Sequence, residues 1–266
     1  MADWDPELYS RFRRYRAEPF EAILHRLKLG RTERIIDLGC GGGENTVELA
    51  RRIVDGGVIG LDSSPAMIER ALKLREGLEP QVRARLRFMR GDLRAIDEHR
   101  RYSLVFSNAS IQWVSDHQQV FARRYEALIP GGQLVVQMPA NDHETAQAMI
   151  VAMANEEPWS SRLAGLAPPS RTVAAPERYA AMLGEIGFVQ VDCYYHTFRH
   201  PMDSPGQIVE WSRATALRPY LEALGPDGHA PFIAALTERL EREYGTRGPL
   251  TFTFRRLFIW ARRPVE

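Results

Sequence analysis

Directly behind the apolar run Ile35 and Ile36 the chain sets a carboxylate and a glycine cluster, Asp37-Leu38-Gly39-Cys40-Gly41-Gly42-Gly43. Glycines in such a turn let the backbone take φ values that a Cβ disfavours and let a ligand approach main-chain N–H groups closely. Their spacing narrows the ligand. Counted from Gly39, a dinucleotide fingerprint would place its last glycine at Glu44, whose carboxylate would crowd and repel a pyrophosphate. No Gly-Lys-Ser/Thr follows, so the turn is not a P-loop. A second carboxylate, Asp62 beside Ser63, ends the run Val58 to Leu61, where both its oxygens could accept ribose hydroxyls. Asp92 and Leu93 close a third run, and Asn108, followed by Trp113, closes a fourth. A different set lies further on: Trp211, Arg213, Arg218 and Tyr220, then Arg256, with Arg16 near the start. A guanidinium fork matches a carboxylate bidentately, so arginines beside aromatics suit a polycarboxylate, although solvated surface arginine is the plain alternative for any one of them.

Those residues need strand ends to carry them. Short apolar runs followed by helical periodicity recur from Ile35 onward: Val58 to Asp62, Leu86 to Leu93, Tyr102 to Asn108 and Leu128 to Met138, the last with a Pro130-Gly131-Gly132 turn. Strand, turn and helix in alternation are the crossovers of a doubly wound sheet, whose ligands bind outside the carboxyl ends of its strands. Before it, residues 4–29 read as helix, divided in two at Pro19. The first half, with Trp4, Tyr9, Arg13, Arg14 and Arg16, is either a lid or an amphipathic helix with solvated arginines. The helix after the glycine turn is expected to end at Asp55-Gly56-Gly57. Beyond Pro139, residues 144–154 are helical, 166–170 irregular, 177–186 helical and 188–196 a sixth strand. Three helical stretches across 204–245, broken near Pro219 and at Gly225-Pro226, precede a last strand over 252–261. The expected division is a lid over 1–30, a ligand-binding sheet domain over 31–200, a helical cap over 201–250 and a returning strand over 251–266.

The turn Asp37-x-Gly39-x-Gly41-x-Gly43 resembles the first motif of class I S-adenosylmethionine-dependent methyltransferases. That resemblance implies an α/β, Rossmann-like fold with a mostly parallel seven-stranded sheet, helices on both faces and a small helical cap, with S-adenosyl-L-methionine as cofactor. It places Asp37 near the cofactor's ammonium, Gly39, Cys40, Gly41 and Gly43 along its aminoacid part, and Asp62 and Ser63 at the ribose. Asp92 and the main-chain N–H of Leu93 would meet the adenine, while Asn108 and Trp113 would stand at the reaction face. Met67 would line the adenine slot or fill core. More narrowly the chain is similar to the trans-aconitate 2-methyltransferases. It shares with them Ala2-Asp3-Trp4-Asp5, Asn108-Ala109-Ser110-Ile111-Gln112-Trp113, Leu217-Arg218-Pro219-Tyr220 and Phe254-Arg255-Arg256-Leu257-Phe258. The implied activity is esterification of one carboxylate of a small tricarboxylic acid. An ionised carboxylate needs no general base, so positioning is expected to carry the reaction and no catalytic residue is assigned. Arg16, Trp211, Arg213, Arg218, Tyr220 and Arg256 are the substrate-binding candidates. The alternative is another small-molecule acceptor, a quinone precursor, a phenol or an acyl thioester; a carbon or phenol acceptor would need a base, for which His117 and His196 are available, and a third reading is a module that binds the cofactor without catalysis.

Composition excludes other classes. The formal charge is +1, with both signs abundant in 266 residues, so no basic field points to nucleic acid. Lys28 and Lys73 are the only lysines, which makes almost every cation an arginine. Cys40 and Cys193 form no metal-binding pattern and suit a reducing compartment. The opening residues lack a basic and then apolar leader, and no run reaches membrane-spanning length, so a cytoplasmic protein is expected.

Overall fold

The elements alternate in the order that the apolar runs dictate. The structure, a computed structural model, describes residues 12–95, 97–166, 172–213, 215–246 and 248–265. Helix α1 (Arg13–Arg26) leads into β1 (Thr32–Leu38), α2 (Glu44–Arg52), β2 (Asp55–Asp62), α3 (Pro65–Glu76), α4 (Pro80–Arg85), β3 (Leu86–Arg90) and β4 (Tyr102–Asn108). There follow α5 (His117–Ala127), β5 (Leu128–Pro139), α6 (Thr145–Ala154), α7 (Ser160–Leu163), α8 (Pro176–Ile186), β6 (Val189–Met202), α9 (Pro205–Arg213), α10 (Arg218–Tyr244) and β7 (Leu250–Arg262). The seven strands form one sheet in the order β3-β2-β1-β4-β5-β7-β6, and β1 to β5 pair in parallel. Strand order reverses between β1 and β4, the switch point at which open α/β sheets bind ligands. Asp37 pairs across to Gly60 on one side and Phe106 on the other, which puts its carboxylate at that point.

The chain divides into two compact units. One comprises 19–139, 172–196 and 257–266, with Ile35, Leu38, Val58, Leu104, Phe106 and Leu134 fully or almost fully buried in it. The other comprises 1–18, 140–171 and 197–256, and its core is aromatic: Trp211, Tyr220, Phe232, Phe252 and Phe254. Segment 140–166 thus groups with the helical cap residues instead of the sheet, because α6 and α7 bury Ala146, Ile150, Met153 and Leu163 in that aromatic cluster.

Several boundaries differ from the sequence expectation. Pro19 does not divide α1; the helix runs through it, held by Phe20 against Phe106 and by the fully buried Ile23, although the unit boundary does fall at this proline. Packing here outweighs the lost backbone hydrogen bond. Asp55, Gly56 and Gly57 belong to β2, pairing with Thr32, Glu33 and Arg34, so α2 ends at Arg52. The short helix α4 carries no apolar periodicity beyond Val82. The Pro130-Gly131-Gly132 turn is absorbed into β5, where the register against β4 slips between Tyr102 and Leu104. In α10 the expected break is present as one non-helical residue, Gly225. Residues 4–11 of the expected N-terminal helix, with Trp4 and Tyr9, and residues 167–170 of the irregular segment lie outside the described residues.

Candidate active site

In the sheet unit, β1 delivers Asp37 and the glycine turn hands the chain to α2. The turn is fastened to the end of β2: the N–H groups of Gly39 and Cys40 donate to Leu61 O at 2.7 and 2.9 Å. The N–H of Gly41 donates to Asp62 Oδ2 at 2.9 Å, and Ser64 N–H donates to Asp62 Oδ1 at 2.9 Å. The glycines do different work. At Gly39, with φ 73°, a Cβ would stand 1.7 Å from Ser110 Oγ, so this glycine admits the loop after β4. At Gly41, with φ 55°, a Cβ would meet nothing within 4 Å; here the turn faces open space, as a ligand cradle must. Asp37 is 2 % exposed, and Thr46 Oγ1 donates to its Oδ2 at 2.6 Å. Burial pushes this carboxyl up to about 7, with the Thr46 hydrogen bond opposing and the Asp62 charge adding. Such a carboxyl is held back from ionising and would be released by a cation placed beside it.

The other strand ends are placed less uniformly. Asp62 is committed to the two backbone N–H groups, each carboxylate oxygen keeping a second lone pair. Ser64, not the exposed Ser63, caps α3, and half-buried Met67 begins that helix with its N–H on Ser64 Oγ at 3.4 Å. Asp92 is gripped by Arg94, whose Nε lies 2.9 Å from Oδ2, and this hydrogen bonding holds the carboxyl below its usual range; half-buried Leu93 follows it. Asn108 ends β4 with its Oδ1 buried and without a partner among the described residues. Trp113, on a turn of 3₁₀ helix, is 56 % exposed. Cys40 is buried, its Sγ standing 2.9 Å from where a Cβ on Gly60 would lie, so it packs the turn onto β2.

His117 is not available as a base. Its Nε2–H donates to Ile111 O at 3.0 Å, which leaves Nδ1 to accept from Tyr179 Oη at 2.6 Å, and the Tyr179 oxygen accepts from Ala174 N–H at 3.3 Å. Burial lowers its pKa below the ordinary imidazole value. The pair ties the loop after β4 to α5 and α8, and Thr172 Oγ1 adds a hydrogen bond to Gln112 O at 2.9 Å. His196 is exposed, its ring 6.1 Å from that of Phe258.

In the second unit the candidate substrate residues separate into two sets. Arg16 lays its guanidinium over the Trp211 ring at 5.1 Å and donates to Trp211 O at 3.3 Å. Trp211 packs on Phe254 at 5.6 Å, and Arg256, 6 % exposed, stands over Phe254 at 4.6 Å. Arg16, Trp211 and Arg256 therefore share one aromatic block. Arg213 and Arg218 are exposed, and Arg218 is paired with Glu222 at 2.9 Å one turn along α10. Tyr220 is fully buried, stacked near Phe232 with its hydroxyl on Leu166 O at 3.4 Å.

Residues 35–132 match the model of a methyltransferase domain family. A trans-aconitate 2-methyltransferase of Variovorax paradoxus is 36 % identical to this chain over 267 aligned residues, covering 99 % of each. A Methylobacterium radiotolerans protein of the same name is 37 % identical with the same coverage. The chain belongs to the trans-aconitate 2-methyltransferase family. Among solved structures, the Haemonchus contortus phosphoethanolamine N-methyltransferase 2 complex with phosphomonomethylethanolamine and S-adenosylhomocysteine aligns with a TM-score of 0.59 at 20 % identity. It covers 93 % of this chain, which spans about half, 53 %, of that protein, and at this identity the likeness speaks for the fold alone.

Within this trans-aconitate 2-methyltransferase family member, sequence reasoning passed over Thr46, nine residues beyond Asp37 on the first turn of α2, and His200, whose fully buried ring lies 5.2 Å from Trp211. A hydroxyl just past the glycine turn is the signal that could have found Thr46; for His200 the signal is a polar residue on an otherwise apolar strand face. Among the described residues no group of His, Cys, Asp and Glu could hold a metal ion, and no helix is long and apolar enough to cross a membrane.

Proposed function

We propose that the chain transfers the methyl group of S-adenosylmethionine to one carboxylate of trans-aconitate and releases the methyl ester. Full-length similarity to enzymes of that name supports it, and the observation in the chain itself that carries it is the pairing of two guanidinium groups, Arg16 and Arg256, with one buried aromatic block. A guanidinium fork holds a carboxylate through two parallel hydrogen bonds and, removed from bulk water, does so strongly.

The residues of the sheet unit fit the cofactor. The space over Gly41, Asn108 Oδ1 with no partner among the described residues, and a carboxyl at Asp37 that a cation would ionise are what an aminoacid-bearing nucleoside needs. Asp37 would hold its ammonium, Asp62 its ribose hydroxyls, Asp92 and Leu93 N–H its adenine, and Asn108 with Trp113 the mouth of the site. When bound, the cofactor supplies a sulfonium methyl, an electrophile that a carboxylate oxygen can attack without prior deprotonation. The chain's contribution is then positioning: Arg16 and Arg256 hold the acid, the Asp62–Gly41 hydrogen bond fixes the turn, and no general base is called for. Esterification removes one negative charge, which weakens the hold of the arginines and favours release. Arg213 and Arg218, exposed, take no part in this reading. A cytoplasmic location belongs to the same proposal and is supported by two free cysteines, Cys40 and Cys193.

The test is transfer of labelled methyl from S-adenosylmethionine by the purified chain, with trans-aconitate, cis-aconitate, citrate, isocitrate and a set of phenols as acceptors. Base-labile label formed with trans-aconitate is expected. Cofactor binding with no methylation of any of the acids would overturn the acceptor.

A further inference from the structure

We infer that His200 is a specificity-determining residue of the acceptor site, its imidazole donating a hydrogen bond to a second carboxylate of the acid that Arg256 holds. This rests on the acceptor reading above. On β6 the side chains of Phe198, His200 and Met202 alternate into the second unit, and on the neighbouring β7 those of Phe252, Phe254 and Arg256 do the same. Four of the six are apolar; the two that are not are His200 and Arg256.

The ring of His200 is completely buried and held between two aromatic rings, Tyr15 at 4.7 Å and Trp211 at 5.2 Å, with interplanar angles of 35° and 28°. Its orientation is thereby fixed. Among the described residues neither ring nitrogen has a hydrogen-bond partner, and Glu18 Oε2 lies 3.5 Å from Nδ1. Burial first, and then the charge of Arg256, hold the imidazole pKa at about 4, so at neutral pH the ring offers one N–H and one bare nitrogen. A phenylalanine would fill the same stack without burying two ring nitrogens that make no hydrogen bond among the described residues, so packing alone does not account for a histidine. A polyanion does. Trans-aconitate brings three carboxylates to two guanidinium groups, and the imidazole is a rigid donor beside one of them. A site that buries a donor rejects an analogue lacking its acceptor far more strongly than an apolar pocket can.

The experiment compares the wild-type chain with His200→Phe and His200→Gln on trans-aconitate, itaconate and glutaconate, the last two each being trans-aconitate less one carboxylate. Wild type should prefer trans-aconitate over at least one of the two by thirtyfold or more in kcat/KM. His200→Phe should lose at least thirtyfold on trans-aconitate, with that preference shrinking to a few-fold, while its thermal midpoint holds or rises. His200→Gln, which keeps a donor, should stay within tenfold of wild type. His200→Phe turning over trans-aconitate at the wild-type kcat/KM would overturn the inference, whereas wild type failing to methylate trans-aconitate would overturn the acceptor reading instead. Should His200→Phe not fold, the wild-type chain labelled with ¹⁵N-histidine decides: the His200 ring signals should move on addition of trans-aconitate, and their standing still overturns the assignment.

Discussion

Asp37 shows what burial asks of one carboxyl. With its folded pKa near 7 and an ordinary value of about 3.9, the ligand-free fold favours the protonated form. The sign follows from linkage: this group contributes stability that is complete below about pH 4 and is lost as pH rises through about 7. A cofactor ammonium placed beside it, as proposed, would reverse the preference, because it favours the carboxylate. The affinity for S-adenosylmethionine should therefore climb between pH 6 and 8, by up to about tenfold per unit below 7, and then level off. Asp37→Asn should flatten that curve, weaken cofactor binding by roughly 10- to 100-fold, and stabilise the ligand-free chain at pH 8 by about 1–2 kcal/mol. Calorimetric titrations across pH and urea unfolding of the variant check both halves. An affinity in wild type that ignores pH would remove Asp37 from the ammonium.

The glycine turn and the loop after β4 are the elements that give the site its form, and each can be taken apart. Gly39→Ala pushes a Cβ into Ser110 and keeps a left-handed backbone, so it should destabilise the chain by about 2–4 kcal/mol, and adding Ser110→Gly should recover the steric part. Gly41→Ala has the same handedness and no clash; it should cost only about 1 kcal/mol of stability yet weaken the cofactor tenfold or more. Equal effects of the two on stability, measured by urea midpoints, would contradict the division of labour. The loop itself depends on His117. Because Nδ1 must accept from Tyr179, protonation breaks the pair, and the lowered pKa means its stability is present above about pH 6.5 and lost as pH falls through the folded value. His117→Gln can keep one donor and one acceptor without titrating, so between pH 7 and 5 it should lose less stability than wild type. His200 titrates in the same sense but is common to both chains, and parallel pH slopes would show that the pair contributes nothing.

At the scale of the molecule, the sheet and the cap helices were legible, the break at Gly225 included, and which arginines of the cap are buried was not, for a physical reason. Parallel strands buried on both faces write themselves as apolar runs, and glycines mark the turn where a ligand must approach, so β1 to β5, Asp37 and Gly41 could be located from residue types alone. The proposed acceptor residues sit on elements distant in sequence, and nothing local separates Arg256, buried beside Phe254, from Arg218, exposed beside Glu222. That separation comes only from which side chains the β6–β7 pair turns inward. Pro19 misled for a similar reason: a local rule against proline in helices was outweighed by the burial of Phe20 and Ile23. The proposed roles accordingly divide by unit, cofactor to one and acceptor to the other, and kinetics can test that proposal. Arg256→Ala removes the buried charge proposed to hold the acid and should raise KM for trans-aconitate by about 10- to 100-fold while leaving the dissociation constant for S-adenosylmethionine within twofold. Gly41→Ala should do the reverse. If Arg256→Ala weakened the cofactor as much as the acid, the guanidinium would belong to the cofactor site, and the carboxylates of the acceptor would have to be held by other groups.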